Sequence, residues 1–160
     1  MPYAEGDWVA VPLGASAAPK GWAVGRLARV REPAALVYLF GPVLSAVPSL
    51  PSVEAFGLSA SGAEAYVLVS TLGLRDGSWV VVGSGSSFVA SEWPLGEFLD
   101  TAVNPGGPRA VSYSEDDLVT EVGLRAVSAD EAASLPPAGH SGAVFVQRWF
   151  CRRLGVDPDS

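Results

Sequence analysis

The 160-residue chain has few of the residues that build metal centres or disulfides, because it contains one histidine and one cysteine. A single cysteine cannot form an internal disulfide, and the spacing of His140 and Cys151 does not suit a zinc site. We expect His140 to be an exposed loop residue and Cys151 a small core residue of a helix. No motif calls for a cofactor, so the expected complement of metals and cofactors is none.

Long apolar runs are also missing. The longest, such as residues 35–40, fall far short of the roughly 20 residues that a transmembrane helix needs. The first five residues lack the basic and apolar regions of a secretory signal peptide. We therefore expect a soluble protein of a reducing cytoplasm, with no membrane partner.

Positive charge is scarce, with 10 Lys and Arg against 17 Asp and Glu and a net charge of -7. Between Glu92 and Glu131 there are nine acids and two bases, whereas the rest of the chain balances at eight of each. An acidic chain lacks the attraction to phosphate that supplies most nucleic-acid affinity, so nucleic acid is not the expected partner. This holds even though the first hairpin is locally basic through Lys20, Arg26, Arg29 and Arg31. The acidic segment is expected either to attract a basic partner or to serve only as a solvated surface.

Composition and periodicity favour short strands and turns. Hydrophobic residues make up 49% of the chain, with 18 Gly and 13 Pro. Period-two and apolar runs predict strands at residues 7–13, 22–30, 35–41, 65–71, 79–83, 109–113 and 121–127. The expected fold is α+β: a mainly antiparallel, strongly twisted sheet or partly open barrel, with a C-terminal helix and short helical turns. One domain spanning residues 1–160 is expected.

Local signals place the boundaries of these elements. The first strand is apolar on both faces and should be buried, whereas the alternation in residues 22–30 predicts a half-buried strand. Gly41-Pro42 should end the third strand, and Asp76-Gly77 is typical of a tight turn between the fourth and fifth. Ser128 with Glu131 has the spacing of a capping box. Ser141 is the predicted N-cap of the last helix, with Gly155 at its end.

Two sequence features suit an enzyme only weakly. Gly83-Ser84-Gly85 follows a strand, but Phe88 stands where a dinucleotide-binding turn has its last glycine, and no helix follows. Residues 115–117 provide adjacent carboxylates that suit acid–base chemistry or a hard cation, although such corners are more often solvated. An enzyme at this corner stays an alternative.

Three segments carry a resemblance to a known family. Gly6-Asp7 opens an apolar strand that ends in Pro12-Leu13, and a second strand contains Trp22-Ala23-Val24-Gly25-Arg26. Residues 74–83 include Gly77-Ser78-Trp79 and end in Gly83, and residues 93–98 begin with Trp93-Pro94 but have Gly96 where the family usually has proline. In this order the segments resemble immunity protein 26, a family of bacterial polymorphic toxin systems. The framework positions are Gly6, Asp7, Pro12, Leu13, Gly25, Arg26, Gly77, Trp79, Gly83, Trp93 and Pro94.

The resemblance implies a cytoplasmic, non-catalytic antitoxin that binds and neutralises a cognate toxin domain. Nuclease toxins are commonly basic, and an acidic surface would steer such a partner. We therefore predict that the toxin-facing patch includes Glu115, Asp116, Asp117 and Glu121. The alternative is a small SH3-like β-barrel that binds a peptide or sugar in a groove lined by Trp8, Trp22 and Tyr38.

Overall fold

The computed structural model describes residues 2–14, 18–85, 87–100, 102 and 104–159. Within these residues the chain forms eight strands and four α-helices, and the strands make two open antiparallel sheets. The predicted α+β fold with a C-terminal helix is confirmed. The elements are β1 (Asp7–Pro12), β2 (Trp22–Arg31), β3 (Ala34–Leu44), α1 (Leu50–Ala55), β4 (Ala65–Ser70), α2 (Leu72–Arg75), β5 (Val80–Ser84), β6 (Phe98–Leu99), β7 (Arg109–Tyr113), β8 (Glu121–Ala126), α3 (Ala129–Ser134) and α4 (Ala143–Arg153).

The larger sheet has the strand order β4-β3-β2-β1-β5. Its first four strands form the antiparallel meander that their sequence order predicts. The next strand, β5, pairs with β1 at the opposite edge from β4. Asp76 and Gly77 therefore do not join two paired strands. They follow α2, where the chain leaves one edge of the sheet and crosses to the other.

The third strand is longer than predicted, because β3 continues beyond Gly41-Pro42 to Leu44, which pairs with Trp22. Its pairing with β4 stops at Leu39. Beyond that point β3 has only β2 beside it and is an edge strand. Proline is tolerated at an edge because its missing N–H leaves no ladder bond unmade.

Both faces of the larger sheet are covered. One face, which includes Val9, Val11 and Leu27, packs against Val146 and Phe150 of α4. The opposite face packs against α1, the segment around Trp93 and the smaller sheet, through buried Trp8, Leu36, Phe40, Val53, Trp93, Phe98, Val111 and Leu118. The prediction that the second strand is half-buried is wrong, since residues 23–29 are all buried. A strand in the middle of three layers has no solvent face.

The smaller sheet has the order β6-β7-β8, so β8 is an edge strand. It leads into α3, where Ser128 Oγ accepts a hydrogen bond from Glu131 N at 3.1 Å, and this confirms the Ser128 half of the predicted capping box. The Glu131 carboxylate accepts from Arg125 Nη2 instead. The last helix begins one residue later than predicted, with Gly142 as its N-cap. Ser141 instead bridges to the larger sheet: it donates to Leu68 O, and its carbonyl accepts from Ser70 N. Within the described residues no helix is both long and apolar enough to cross a membrane.

Candidate functional site

The acidic corner predicted from the charge pattern is the connection between β7 and β8. Its backbone is closed by Ser114 N donating to Thr120 O at 2.8 Å and Leu118 N donating to Ser114 O at 2.9 Å. Leu118 has φ 61 and is only 1% exposed. A left-handed backbone costs a leucine about 1–2 kcal/mol, which burial of its side chain in the core offsets. The corner is therefore anchored, and its acids project from a fixed turn.

Two of the four basic residues of the first hairpin, Arg29 and Arg31, lie against this corner. Arg29 is buried and donates from Nη2 to Glu115 Oε1 at 3.0 Å, while Arg31 Nε donates to Glu115 O at 2.9 Å. Arg29 Nη1 also donates to Trp93 O at 3.2 Å. Two bases of the first hairpin therefore contact the acidic segment. Glu115 is partly neutralised and has a structural role.

Asp117 is occupied by its own turn. One carboxylate oxygen accepts from Val119 N and Thr120 N, both at 2.9 Å, and the other accepts from the Thr120 hydroxyl at 2.5 Å. These hydrogen bonds lower the pKa of Asp117 to about 2. The carboxylate stays ionised over the whole physiological range, and its function in this geometry is to hold the turn.

We expect Asp117→Asn to lower the melting temperature at neutral pH, because the amide accepts fewer of these hydrogen bonds and carries no charge. The folded pKa of about 2 lies below the usual value of about 3.9, so the contribution is present above pH 4 and is lost between pH 4 and 2. Thermal melts of both proteins from pH 7 to pH 2 should converge at the acid end. Asp116→Asn is the matched control, since the Asp116 carboxylate accepts no hydrogen bond from the described residues. A pH-independent deficit would contradict the assignment.

The adjoining strand β8 is exposed at every residue. Val122 and Leu124 are 65% and 48% exposed, and Val119 just before the strand is 53% exposed. Leu124 pairs with Val111, so both side chains lie on the same face of the smaller sheet. Val111 is buried in the core, whereas Leu124 lies outside it. We call Val119, Val122 and Leu124 the β8 strip.

Between residues 116 and 130, four exposed acids have no ion pair among the described residues: Asp116, Asp117, Glu121 and Asp130. Others in the acidic segment are paired. Arg125 binds Glu97 and Glu131, each at 2.7 Å, and Arg109 binds Asp100 at 3.0 Å. The Arg125 guanidinium lowers the pKa of Glu97. Of the predicted patch only Glu115 is paired, with Arg29, so the charge available for a partner is carried by Asp116, Asp117, Glu121 and Asp130.

A second candidate site lies on the opposite side of β2 from α4. Arg26 and Trp93, two framework positions that are far apart in sequence, meet Trp8 there: the guanidinium carbon of Arg26 lies 4.4 Å from the centre of the Trp8 ring and 5.1 Å from that of Trp93. Beside them is a cavity of about 530 Å³ whose rim includes Glu54 and Glu92. Sequence reasoning missed this cavity. The sequence feature that could have indicated it is Arg26, a charged residue between Val24, Gly25 and Leu27 of β2.

No protein-family model, no curated protein and no solved structure matches the chain.

Most other framework positions serve the fold. Asp7 Oδ2 accepts from Ala4 N at 2.8 Å, and Trp79 is 1% exposed with its Nε1 donating to Gln147. Gly6, Pro12, Leu13 and Gly25 are buried, Gly83 is half-buried, and Gly77 and Pro94 are exposed. Gly96, where the chain departs from the resembled motif, has a local cause. A Cβ there would clash with the Tyr66 hydroxyl, so any larger residue would require the Tyr66 ring to move.

The features named for the alternative functions are not assembled into sites. Trp8 and Tyr38 are each only 4% exposed and Trp22 is half-buried, so these three rings do not line an open groove. The cavities of about 530, 510 and 280 Å³ contain none of residues 115–117. Within the described part of the chain, no group of three or more His, Cys, Asp or Glu is placed to hold a metal ion. Cys151 is buried and His140 is exposed.

Proposed function

We propose that the chain is a non-catalytic antitoxin that binds and neutralises a basic bacterial toxin domain in the cytoplasm, and that it docks through the β8 strip. The observation that carries the proposal is the exposure of all six residues of β8 at the edge of a sheet. A sheet edge offers unpaired backbone groups to another chain. The apolar side chains of the strip add contact area that a partner can bury.

Charge supports a basic partner for this surface. Asp116 and Glu121 flank the β8 strip, and neither is neutralised by an ion pair among the described residues. Exposed acids of one sign accelerate encounter with a protein of opposite sign, most strongly at low salt. The acids also oppose pairing between two copies of β8, because like charges would meet. In such an interface the apolar contacts provide the affinity, and the charges raise the rate of association.

The resemblance to immunity protein 26 supplies the class of partner, and the direct test is protection. The toxin domain to test is the C-terminal domain of any large protein that is encoded directly upstream of this chain. That domain should stop growth when expressed alone, and co-expression of the full chain should restore it. The purified pair should form a complex. A toxin domain that still kills cells containing the folded chain would exclude it as the cognate partner, and failure with all neighbouring toxin domains would overturn the proposal.

The docking surface has its own test. We expect Val122→Ser with Leu124→Ser to weaken the complex by about tenfold or more, since apolar residues at the centre of an interface provide most of its affinity. The matched control is Val144→Ser with Phe145→Ser, a pair on α4 that is also about half exposed, at 53% and 50%. Calorimetric titration measures both, with circular dichroism as the check on folding. Equal weakening by the two pairs would move the interface away from β8.

Charge reversal separates steering from contact. Asp116→Lys with Glu121→Lys should slow association by about tenfold at low salt and flatten its salt dependence, with a smaller change in dissociation. Reversal of Glu54 and Glu64 gives the same change in net charge outside the acidic segment. Stopped-flow kinetics at several salt concentrations distinguish the two. Identical rates for wild type and the variant reversed at Asp116 and Glu121 would remove these acids from the interface.

A further inference from the structure

The most unusual polar group in the structure is the guanidinium of Arg26. The residue is 5% exposed and lies in the middle of β2, where Phe88 joins Trp8 and Trp93 in surrounding the guanidinium carbon, at 5.1 Å from the ring centre. Its Nε donates to Gly6 O at 3.1 Å. Its Nη2 is buried without any hydrogen-bond partner. No carboxylate forms an ion pair with Arg26 within the described residues.

This arrangement leaves a buried positive charge with unused donors. The aromatic faces attract the cation, but they cannot replace hydrogen-bond acceptors. Burial lowers the pKa of Arg26, and the negative charges of Glu54 and Glu92 oppose that shift. A buried charge without a bonded partner is costly, and a leucine or methionine would fill such a space more cheaply. The site therefore favours a ligand that brings an acceptor.

The cavity beside Arg26 defines what the acceptor can belong to. Its volume is about 530 Å³, and apolar walls are provided by Val53, Leu58 and Trp93. Glu54 and Glu92 line the same cavity and repel a ligand with several negative charges, such as a phosphate ester. A planar carboxylate matches the fork of a guanidinium, and one negative charge is all that a single arginine can neutralise.

We propose that this cavity binds a small organic monocarboxylate, with its carboxylate on the guanidinium of Arg26 and its carbon skeleton against Val53, Leu58 and Trp93. The site is separate from the β8 strip and does not depend on the antitoxin proposal. The unpartnered donors of Arg26 select the acid group. The apolar walls select an aromatic or branched skeleton over a bare ion, because they gain from covering it.

The test uses three aromatic probes of similar size and different charge: benzoate, benzamide and benzylammonium. Calorimetric titration of the full chain should detect benzoate, and the indole N–H signals of Trp8 and Trp93 should shift as it binds. Benzamide and inorganic phosphate should bind at least about tenfold more weakly, since each lacks either the charge or the fit. Absence of benzoate binding, or stronger binding of benzylammonium, would overturn the proposal.

Two variants locate the bound benzoate. Arg26→Met removes the donors and should abolish binding. Glu92→Gln at the exposed rim removes a repulsive charge and should strengthen benzoate binding by about twofold to tenfold, depending on the effective dielectric. The second variant decides the question even if Arg26→Met fails to fold. Glu64→Gln is its control and should leave benzoate affinity unchanged. Unchanged or weaker benzoate binding by the Glu92→Gln protein would place the ligand elsewhere and overturn the assignment.

Discussion

Trp93→Ala should lower the free energy of unfolding by about 3–5 kcal/mol, the usual cost of truncating a fully packed aromatic. Trp93 is 4% exposed and meets three other rings edge-on: Tyr38 at 5.2 Å, Phe40 at 6.0 Å and Trp8 at 6.1 Å between centroids. Its segment, residues 88–97, contains only the short 3-10 helix Ala90–Glu92 as a regular element, and the ring ties it to the larger sheet together with hydrogen bonds from Arg29 Nη1 to Trp93 O and from the Tyr38 hydroxyl to Pro94 O. Its removal leaves a cavity between the two sheets.

Urea denaturation followed by circular dichroism measures this cost. Phe145→Ala is the matched control, because Phe145 is 50% exposed and its truncation should change stability by no more than about 0.5 kcal/mol. Trp93→Phe should recover part of the loss by refilling some of the volume. If Trp93→Ala cost as little as the control, the segment would not depend on this ring.

The antiparallel meander could be predicted because the local sequence pattern indicates each of its strands. In β1 every residue is buried, and the apolar residues on both faces of the sequence pattern already implied this. The pairing of β5 with β1 was not predictable from pattern. Neighbouring strands in sequence usually pair, yet β4 and β5 lie at opposite edges of the sheet. Only the packing of the whole core decides which edge β5 reaches.

The sequence predicts that the acidic corner is negatively charged, but it does not predict which of the acids form ion pairs. A count of acids treats Glu115 and Asp116 alike, but Arg29, 86 positions away, binds one of them and not the other. The apolar alternation of Val122 and Leu124 predicts a strand with a core face. This alternation cannot predict that Val122 and Leu124 lie outside the core, because their burial depends on which other elements cover the smaller sheet. The exposure of β8 is therefore decided by the whole fold and not by the sequence of the strand.

Polar residues within apolar patterns carried more information than the sequence reasoning drew from them. Arg26 lies in β2 within a run of seven consecutive buried residues, and Gln147 lies on the buried face of α4. A buried polar group needs partners that are distant in sequence, so its role emerges only when the partners are known. For Arg26 a buried donor is left without a partner and indicates a ligand. For Gln147 both groups of the amide have partners, and they join three parts of the fold.

Gln147→Glu should destabilise the protein by roughly 3 kcal/mol at pH 7 through the loss of one donor and the burial of one charge. Gln147 is 6% exposed, accepts from Trp79 Nε1 at 3.0 Å and donates from Nε2 to Gly14 O at 2.9 Å. A carboxylate can still accept from Trp79, but it faces the Gly14 carbonyl with an oxygen in place of the amide. Gln147→Met, which leaves both partners unsatisfied without adding charge, should cost about 2 kcal/mol.

The pH dependence distinguishes the two variants. Burial and the Gly14 carbonyl raise the folded-state pKa of the introduced carboxyl above the usual value of about 4.3. The protonated acid is neutral and can donate to the carbonyl, so its stabilising contribution is complete below pH 4.3 and is lost as pH rises through the folded pKa. Urea titrations at pH 7 and pH 4, each referred to wild type at the same pH, should show the deficit of the Gln147→Glu protein shrinking on acidification. The deficit of the Gln147→Met protein should stay constant. If the Gln147→Glu protein showed an equal deficit at both pH values, the introduced carboxylate would reach water, and α4 would not be closed against Gly14.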